Sequence, residues 1–375
     1  MPRRPLLAAL TAAAVTAALV VPVQVVLAPI AYAEGGGIEG QYIVTMRTDA
    51  ASRAKARAYA ALQDLDGAFA ARLSPSQVSR LRRDPSVTAI EQDQIAKITV
   101  SQSRPPWGLD RIDQRKGGRS HGYTYRNTGA RANVYVIDTG IDLAHPDLRG
   151  RADLVYDSVR DGRKGDPNGH GTHVAGIVGG TRYGVAKGVK LHAVRVLDKK
   201  GGGAYSKVIA ALTWVRKHHK ANAVVNLSLG GPKSKALNRA VTRLSNSGVF
   251  VVVAAGNDHR DACKTSPAGA SAVETVGAST SSDRVAGFSN HGRCVDLYAP
   301  GKNITSDLPH ASVGVYSGTS MASPFVAGVA ALYKSTHGPT TSGKLSQWLH
   351  KQATTKKLKK LPRGSHNRLL YSGRL

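Results

Sequence analysis

The chain has 375 residues, enough for two or three domains of ordinary size and for a hydrophobic core that needs no covalent staple. It carries 52 Lys and Arg against 24 Asp and Glu, a formal charge of +28, so we expect it to attract anionic partners. The basic residues are scattered, aromatic residues make up only 5%, and no nucleic-acid-binding motif stands out, which argues against a specific nucleic-acid partner.

Residues 1–33 have the layout of a secretory signal peptide. Arg3 and Arg4 precede an apolar run from Leu6 to Leu27, and the segment ends at Ala31-Tyr32-Ala33, a small-x-small cleavage pattern. The alternative is a membrane anchor, because the apolar run is nearly long enough to span a bilayer. Pro22 breaks the run and favours the signal peptide, so we expect a secreted, extracellular protein without a membrane span.

Residues 34–100 are predicted to form a small α+β domain. The hydrophobic pattern predicts strands over Gln41–Arg47 and Val87–Glu91 and a helix over Ala50–Leu65. Ser74, followed by Pro and then by Gln three residues after it, is typical of a helix start with a capping box. Pro105-Pro106 marks the boundary to a third domain, residues 101–375.

From residue 133 onward, short apolar strands alternate with helical stretches. Continuous apolar strands joined by helices indicate an α/β fold with a mostly parallel sheet that is covered on both faces. Such sheets carry their functional sites at the carboxyl ends of the strands. The predicted strands cover residues 133–137, 189–196, 223–229 and 249–255, and the predicted helices cover residues 170–180, 205–219 and 234–247.

Asp138 and His170 are the first candidate pair for acid–base chemistry. Asp138 directly follows a buried strand, where a carboxylate must find a hydrogen-bond donor; the alternative is an ordinary turn aspartate. His170 opens a helical stretch between two glycines, which leave room for its ring to face a cleft. His173 raises the possibility of a His-x-x-His metal pair, but no third ligand accompanies it, so we expect it to pack inside.

Ser320 is the candidate nucleophile, because a serine hydroxyl becomes reactive when a base takes its proton and a carboxylate orients that base. Met321 to Tyr333 is helical in composition, so Ser320 is also explained as a helix N-cap. A hydroxyl at this position lies at the positive end of the helix, where free N–H groups can meet an oxyanion.

Asn257 follows another predicted strand, where its amide could donate a hydrogen bond to a tetrahedral intermediate; the alternative is a turn asparagine. Cys263 and Cys294 are the only cysteines, and an even count in an exported chain favours one disulfide.

Together these segments closely resemble the subtilisin-like serine proteases, and within them the proteinase K and aqualysin branch. The resemblance covers residues 41–375. It rests on five runs in the family's order: Val-Ile-Asp-Thr-Gly-Ile, His-Gly-Thr-His-Val-Ala-Gly, Asn-Leu-Ser-Leu-Gly-Gly, Ala-Ala-Gly-Asn and Ser-Gly-Thr-Ser-Met-Ala-Ser-Pro. It implies a three-layer subtilisin-like fold after a ferredoxin-like propeptide.

The resemblance also implies the roles of the site residues. Asp138 would orient His170, His170 would act as base and then acid, and Ser320 would attack the scissile carbonyl. Asn257 and the backbone N–H of Ser320 would form the oxyanion hole. The substrate would lie extended between Gly201-Gly202-Gly203 and Ser228-Leu229-Gly230, with a pocket for apolar or aromatic side chains walled by Ala254, Ala255 and Gly256. Asp258 beside the pocket would admit some basic residues.

Further expectations follow from the same resemblance. Residues 34–100 would be a chaperone and intramolecular inhibitor that is cut off near Ile98 to Ser103. Cys263 and Cys294 stand where the branch carries a disulfide. No cofactor is expected for catalysis, but a structural Ca²⁺ is expected at Asp296 with the backbone carbonyls of Ser271 and Val273, since hard oxygen ligands suit this ion.

Two rival functions use parts of the same evidence. An esterase or lipase of the α/β-hydrolase type would use the same three groups, but that fold brings serine first and histidine last, whereas here the serine is last. A non-catalytic secreted protein that binds anionic polymers would use only the positive charge. We expect a monomeric secreted endopeptidase that acts on protein and peptide substrates, with anionic cell-wall polymer as a further partner.

Overall fold

The structure is a computed structural model that describes residues 27–32, 37–65, 67–94, 100–118, 120–373 and 375. The chain divides into two units, Met1–Lys97 and Ile98–Leu375. Most of the predicted signal peptide lies outside the described residues, so its cleavage and the membrane-anchor alternative stay predictions. Within the described ranges, no helix is long and apolar enough to cross a bilayer.

The first unit is a five-stranded sheet with two helices, as the α+β prediction requires. Its strand order is β1-β5-β2-β4-β3, and the central β2 is antiparallel to both of its neighbours. Val44, Phe69 and Ile90 form part of its buried core. The elements are β1 (Ile30–Ala31), β2 (Gly37–Met46), α1 (Asp49–Ala58), β3 (Gln63–Leu65), β4 (Ala68–Arg72), α2 (Pro75–Arg82) and β5 (Val87–Gln94).

The predicted helix start at Ser74 is confirmed, because its side chain accepts from Gln77 N and the Gln77 side chain accepts from Ser74 N. The predicted helix over Ala50–Leu65 is wrong in its second half. Ala60 has a φ of 46°, which ends the helical path, and the chain then reverses through Gly67 so that β3 pairs with β4. The alanine-rich composition of this segment predicted a longer helix and gave no indication of the hairpin.

Ile30 and Ala31 belong to the predicted signal peptide, yet they form β1 and pair with Ile90 and Glu91 of β5. β1 is the edge strand of the sheet. Cleavage after Ala33 would therefore remove an edge strand and leave the order β5-β2-β4-β3 continuous.

The second unit contains the remaining elements. Its first part runs from β6 to β11: β6 (Val100–Ser103), α3 (Trp107–Ile112), β7 (Gly122–Tyr125), β8 (Asn133–Asp138), β9 (Ala152–Asp157), α4 (His170–Gly179), β10 (Lys190–Arg195), α5 (Tyr205–His218) and β11 (Ala223–Leu227). Its second part runs from β12 to β20: β12 (Gly231–Pro232), α6 (Lys235–Asn246), β13 (Phe250–Ala254), β14 (Thr265–Ser266), β15 (Glu274–Ser279), β16 (Leu297–Pro300), β17 (Ile304–Leu308), β18 (Ser312–Tyr316), α7 (Thr319–His337), α8 (Ser342–Gln352), β19 (Thr354–Thr355) and β20 (Arg368–Leu369).

A nine-stranded sheet lies at the centre of the second unit, in the order β19-β20-β16-β15-β13-β11-β8-β10-β9. All its pairings are parallel except that of β19 with β20. The chain adds strands on one side of β8 and then, from β11, on the other. Such a reversal of strand order opens a crevice at the carboxyl ends of the strands, which is where a site is expected.

Alternate residues of β8 pack into two different hydrophobic cores, one on each face of the sheet. Val134 and Val136 belong to a buried core that also contains residues of α4 and α7, whereas Tyr135 and Ile137 belong to a second core with residues of α5 and α6. The sheet is therefore covered on both faces, and the prediction of a three-layer α/β fold with a mostly parallel sheet is confirmed.

Candidate active site

Asp138 and His170 meet at the carboxyl end of β8. Asp138 is the last residue of that strand and is fully buried, and His170 is the first residue of α4. His170 Nδ1 donates to Asp138 Oδ1 at 2.7 Å. This contact fixes the proton on Nδ1 and leaves Nε2 as the free base of the ring.

A buried carboxylate changes the acidity of this imidazole. Burial by itself lowers the pKa of His170, but the charge of Asp138 and the hydrogen bond to it outweigh burial and raise the pKa above its ordinary value. The side chain of His170 remains 25% exposed, so the ring faces both the carboxylate and the open crevice. A ring in this position can take up a proton and hand it on.

The start of α4 approaches the loop behind β8 very closely. A Cβ on residue 171 would collide with the carbonyl oxygen of Gly140, so a side chain has no room at this position. This is the close packing that the glycines flanking His170 predict.

Asp166 is a buried residue that the sequence analysis missed. Its Oδ1 accepts from Thr139 Oγ1 at 2.8 Å and from Gly169 N at 2.9 Å, and its Oδ2 accepts from Thr172 N and Oγ1, both at 2.7 Å. The carboxylate thus ties the residue after Asp138 to the first turn of α4. The Asp-Pro-Asn-Gly turn before His170 was the available signal.

Ser320 lies inside the first turn of α7, because that helix begins at Thr319 with Gly318 as its N-cap. The alternative interpretation of Ser320 as a helix cap is therefore wrong. In this conformation Ser320 Oγ donates to the carbonyl of Ser228 at 3.1 Å, not to the His170 ring. Its backbone N–H belongs to the first helical turn, where N–H groups have no partner within the helix.

Asn257 is held by the same helix start. Its Oδ1 accepts from the backbone N–H and the Oγ1 of Thr319, at 2.8 and 2.9 Å. Because Oδ1 faces Thr319, the two N–H groups of Nδ2 point away from that residue. Nδ2 lies 3.4 Å from the position that a Cβ on residue 318 would occupy. These bonds join the loop after β13 to the first residue of α7, so the Asn257 side chain is not bonded within its own turn, as the turn-asparagine alternative requires.

Two cavities meet at Ser228–Gly231. The larger, of about 710 Å³, is lined by His170, Gly201–Gly203 and Ser228–Gly230 among others. The smaller, of about 230 Å³, is lined by Ala254–Gly256, Asn257 and Ser320 among others. The structure thus brings the predicted substrate-binding residues to one crevice, on either side of the Ser228 segment.

His173 packs inside, as expected. It is fully buried, its Nε2 lies 3.1 Å from the carbonyl oxygen of Ile304, and its ring stacks on Tyr316. Burial lowers the pKa of His173 to about 4, so the ring stays neutral. The described part of the chain contains no group of three or more His, Cys, Asp or Glu side chains that could hold a metal ion.

Cys263 and Cys294 form a disulfide. The predicted calcium residues lie just before β15 and β16, at the amino ends of the parallel strands, whereas Asp138 lies at the carboxyl end of β8. Asp296 Oδ2 accepts from Thr275 N at 2.8 Å, which brings this carboxylate next to the segment that follows Val273, and the Ser271 carbonyl accepts from Thr242 Oγ1. Burial, together with the charge of Glu274, raises the pKa of Asp296.

Comparison with family models gives two matches. The model of the Subtilase family matches residues 129–368. The model of Peptidase inhibitor I9 matches residues 64–99.

Comparison of the chain with individual proteins also gives serine proteases. The chain is 52% identical over 299 residues to the extracellular serine proteinase of Thermus sp. (strain Rt41A), covering 79% of this chain and 73% of that protein. It is 42% identical over 381 residues to the alkaline serine protease ver112 of Corniculantispora psalliotae, covering 96% and 98%. The crystal structure of a cold adapted subtilisin-like serine proteinase superposes with a TM-score of 0.71 at 46% identity, covering 72% of this chain and 99% of that one.

Proposed function

The chain belongs to the Subtilase family and is a serine peptidase, and from this premise we propose that Ser320 is its nucleophile, His170 its general base and Asp138 the carboxylate that orients the base. The observation that carries the proposal is the 2.7 Å contact between His170 Nδ1 and Asp138 Oδ1 at the crevice that Ser320 also lines. The neutral ring needs this tautomer, with Nε2 free, to accept the proton of a hydroxyl.

The reaction follows from these atoms. Ser320 Oγ turns from the Ser228 carbonyl toward Nε2, gives its proton to His170 and forms a bond to the scissile carbonyl carbon. The negative charge that develops on the carbonyl oxygen is stabilised by Asn257 Nδ2 and the Ser320 N–H. His170 then protonates the leaving amine as the C–N bond breaks. Water, deprotonated by the same ring, then attacks the acyl carbonyl carbon. The ester bond to Ser320 Oγ breaks, and His170 returns its proton to that oxygen.

The crevice supports an extended substrate. Gly201–Gly203 and Ser228–Gly230 both line the larger cavity, and a peptide between them would pair through its backbone as an added strand. Ala254, Ala255 and Gly256 would wall the pocket for the side chain before the scissile bond. These small residues favour apolar or aromatic side chains and a broad specificity.

Covalent labelling tests the assignment of the nucleophile. A fluorophosphonate should modify the wild-type chain at Ser320 and should not modify Ser320→Ala. Ser323→Ala is the matched control and should keep the label. A labelled Ser320→Ala protein, or peptide hydrolysis by that variant at the wild-type rate, would exclude Ser320 as the nucleophile. A wild-type chain that is never labelled would favour the non-catalytic polymer-binding alternative.

We propose that residues 34–100 are an intramolecular chaperone and inhibitor, removed by the enzyme itself near Ile98 to Ser103. The match of residues 64–99 to Peptidase inhibitor I9 supports this. Ser320→Ala, produced in cells that lack other proteases, should accumulate as a precursor of full propeptide length. Normal maturation of this variant would refute self-processing but would leave the peptidase assignment intact.

We propose that residues 1–33 are a signal peptide and that the protein is secreted. The extracellular relative from Thermus supports this location. Sequencing the N-terminus of the Ser320→Ala precursor from the culture medium should find Glu34. Retention of residues 1–33 in a membrane fraction would instead support the anchor.

We propose one structural Ca²⁺ held by Asp296 with the carbonyls of Ser271 and Val273. Burial makes the charge of Asp296 costly, which a bound cation would offset, and its Thr275 contact uses only Oδ2. Asp296 supplies the one side-chain ligand of this proposed set, so backbone carbonyls and water would complete the coordination of the ion. A chelator should lower the melting temperature of the wild type but leave that of Asp296→Asn almost unchanged; an equal effect on both would exclude this site.

We propose, finally, that the positive charge retains the enzyme on anionic cell-wall polymer. Residues 199–257 contain ten Lys and Arg and no Asp or Glu, and this stretch includes both α5 and α6. Replacing the exposed Arg216, Lys217, Arg239 and Arg243 with Gln should lower the salt concentration that elutes the protein from anionic wall material. Retention that does not depend on salt would contradict the proposal.

A further inference from the structure

The pocket beside Ser320 carries two charged side chains. Asp258 and Arg260 line the cavity of about 230 Å³, and they are the only charged residues among those that line it. Apart from the amide of Asn257, the rest of its wall is made of small, apolar or hydroxyl-bearing residues, Thr265 and Ser266 among them. The charge that a substrate side chain meets in this pocket is therefore set by this pair.

The two side chains bind each other. Arg260 Nη2 lies 2.9 Å from Asp258 Oδ2, and the side chains are 52% and 58% exposed. His259 between them has a φ of 51°, a left-handed conformation that turns the chain back on itself. Asp258 was expected to admit some basic substrate side chains, but in the structure its carboxylate is already paired with Arg260.

The backbone that presents the pair is rigidly held. Asn290 Oδ1 accepts from the backbone N–H groups of both Asp258 and Arg260, at 3.1 and 3.0 Å. Asn290 is fully buried, and its Nδ2 donates to the carbonyl of Ala255 at 2.8 Å. One buried amide thus joins the wall of the pocket at Ala255 to the segment that carries the two charges, which keeps them at the pocket.

We propose that Asp258 and Arg260 act as a charge-cancelling pair that sets the specificity of the primary pocket for uncharged side chains. The inference rests on the proposed role of this cavity as the pocket for the residue before the scissile bond. A substrate ammonium group meets Arg260 as well as Asp258, and a substrate carboxylate meets Asp258 as well as Arg260. Neither charge gains a net partner, so each pays its desolvation without compensation.

Mutation of either member of the pair should change the preference for basic and for acidic substrate side chains in opposite directions. Removing Arg260 leaves Asp258 free to bind a substrate Lys, and removing Asp258 leaves Arg260 free to bind a substrate Glu. Unit charges a few ångströms apart at a protein surface interact strongly enough to change a specificity ratio by roughly 10-fold. The two single variants should therefore acquire opposite preferences.

The test uses mature enzyme and a set of quenched peptides that differ only in the residue before the scissile bond: Gln, Lys or Glu. The variants are Arg260→Gln, Asp258→Asn and the double variant. Arg260→Gln should raise the Lys-to-Gln ratio of kcat/KM about 10-fold and lower the Glu-to-Gln ratio. Asp258→Asn should do the reverse, and the double variant should return both ratios to near the wild-type values. All these changes should shrink in 1 M salt.

Lys351→Gln is the control variant, since it removes one exposed charge from α8 and does not line the pocket. It should leave both ratios unchanged. The proposal is overturned if neither single variant changes the ratios, or if both variants lower kcat/KM equally for all three peptides. The proposed function would still stand in either case, because covalent labelling of Ser320 tests it separately.

Discussion

Thr139 and Asp166 share a hydrogen bond of 2.8 Å that joins the residue after Asp138 to the turn before His170. Both residues are buried. The Asp166 carboxylate thus links the segments that carry the Asp138 carboxylate and the His170 imidazole, without a hydrogen bond of its own to either side chain. We infer that Asp166 acts as a positioning residue.

We predict that Asp166→Asn lowers both stability and kcat/KM. The carboxylate accepts hydrogen bonds on both oxygens, whereas an amide would turn one NH₂ group toward a donor. A buried donor without an acceptor costs about 1–3 kcal/mol. Chemical denaturation should show a loss of this size in the free energy of unfolding, and kcat/KM should fall about 10-fold. The control is Asp153→Asn, at a half-exposed carboxylate. It should lower the free energy of unfolding and kcat/KM by less than Asp166→Asn does. Wild-type stability of Asp166→Asn would contradict the prediction.

We predict that Asp138→Asn moves the acidic limb of the pH–rate profile to lower pH. His170 must be neutral to accept a proton, and the charge of Asp138 raises its pKa against the effect of burial. Without that charge the pKa of His170 falls, so the ring becomes neutral at a lower pH. The maximal rate should nevertheless fall about 10⁴-fold, because an amide no longer fixes the productive tautomer. The pH dependence of kcat/KM measures both effects, and an acidic limb that stays in place would exclude the electrostatic role.

We predict that Asn257→Ala lowers kcat by 10²–10³-fold with little change in KM, because it removes a donor that acts on the developing oxyanion. Thr319→Val is the informative companion. It removes the Oγ1 donor that holds Asn257 Oδ1 but keeps the backbone donor, so its loss of kcat should be smaller. A loss below about 5-fold in Asn257→Ala would place the amide outside the oxyanion hole.

The strands that carry the site could be predicted well from the sequence. The strand that ends at Asp138 and the strand over Ala223–Leu227 are buried along their whole length and mostly apolar, a pattern typical of a parallel sheet covered on both faces. The helix that starts at His170 was also predicted within one residue, because glycine on either side of the histidine signals a tight entry.

Other features were not accessible to pattern analysis. Asp166 looks like any turn aspartate, and only the fold brings Thr139 against it. Asn290 lies 30 residues beyond Arg260 in the sequence, and nothing local indicates that its amide would hold the pocket segment. Arg260 is an exposed arginine, and its pairing with Asp258 depends on the turn at His259. Such residues act across long sequence separations, which hydrophobic periodicity does not report.

Lys334 is a buried lysine in the core, and it gives a prediction for stability. It lies in α7 with 1% of its surface exposed, and Nζ donates to the carbonyls of Ala223 and Gly248, both at 2.9 Å. Burial lowers its pKa to about 8 from an ordinary 10.5. Between these values the unfolded chain holds a proton that the folded chain has lost, so the free energy of unfolding should rise as the pH rises through this window.

We therefore predict that Lys334→Met removes this dependence on pH. Urea unfolding of the wild type and the variant at pH 7, 8, 9 and 10, in the Ser320→Ala background to prevent self-digestion, measures it. From pH 8 to 10 the wild type should gain of order 2 kcal/mol relative to Lys334→Met, since each pH unit in the window is worth about 1.4 kcal/mol. Lys351→Met, at an exposed lysine, should follow the wild type. Identical slopes for all three proteins would mean that Lys334 keeps its proton in the core, held by the two carbonyls at a pKa close to that of the unfolded chain.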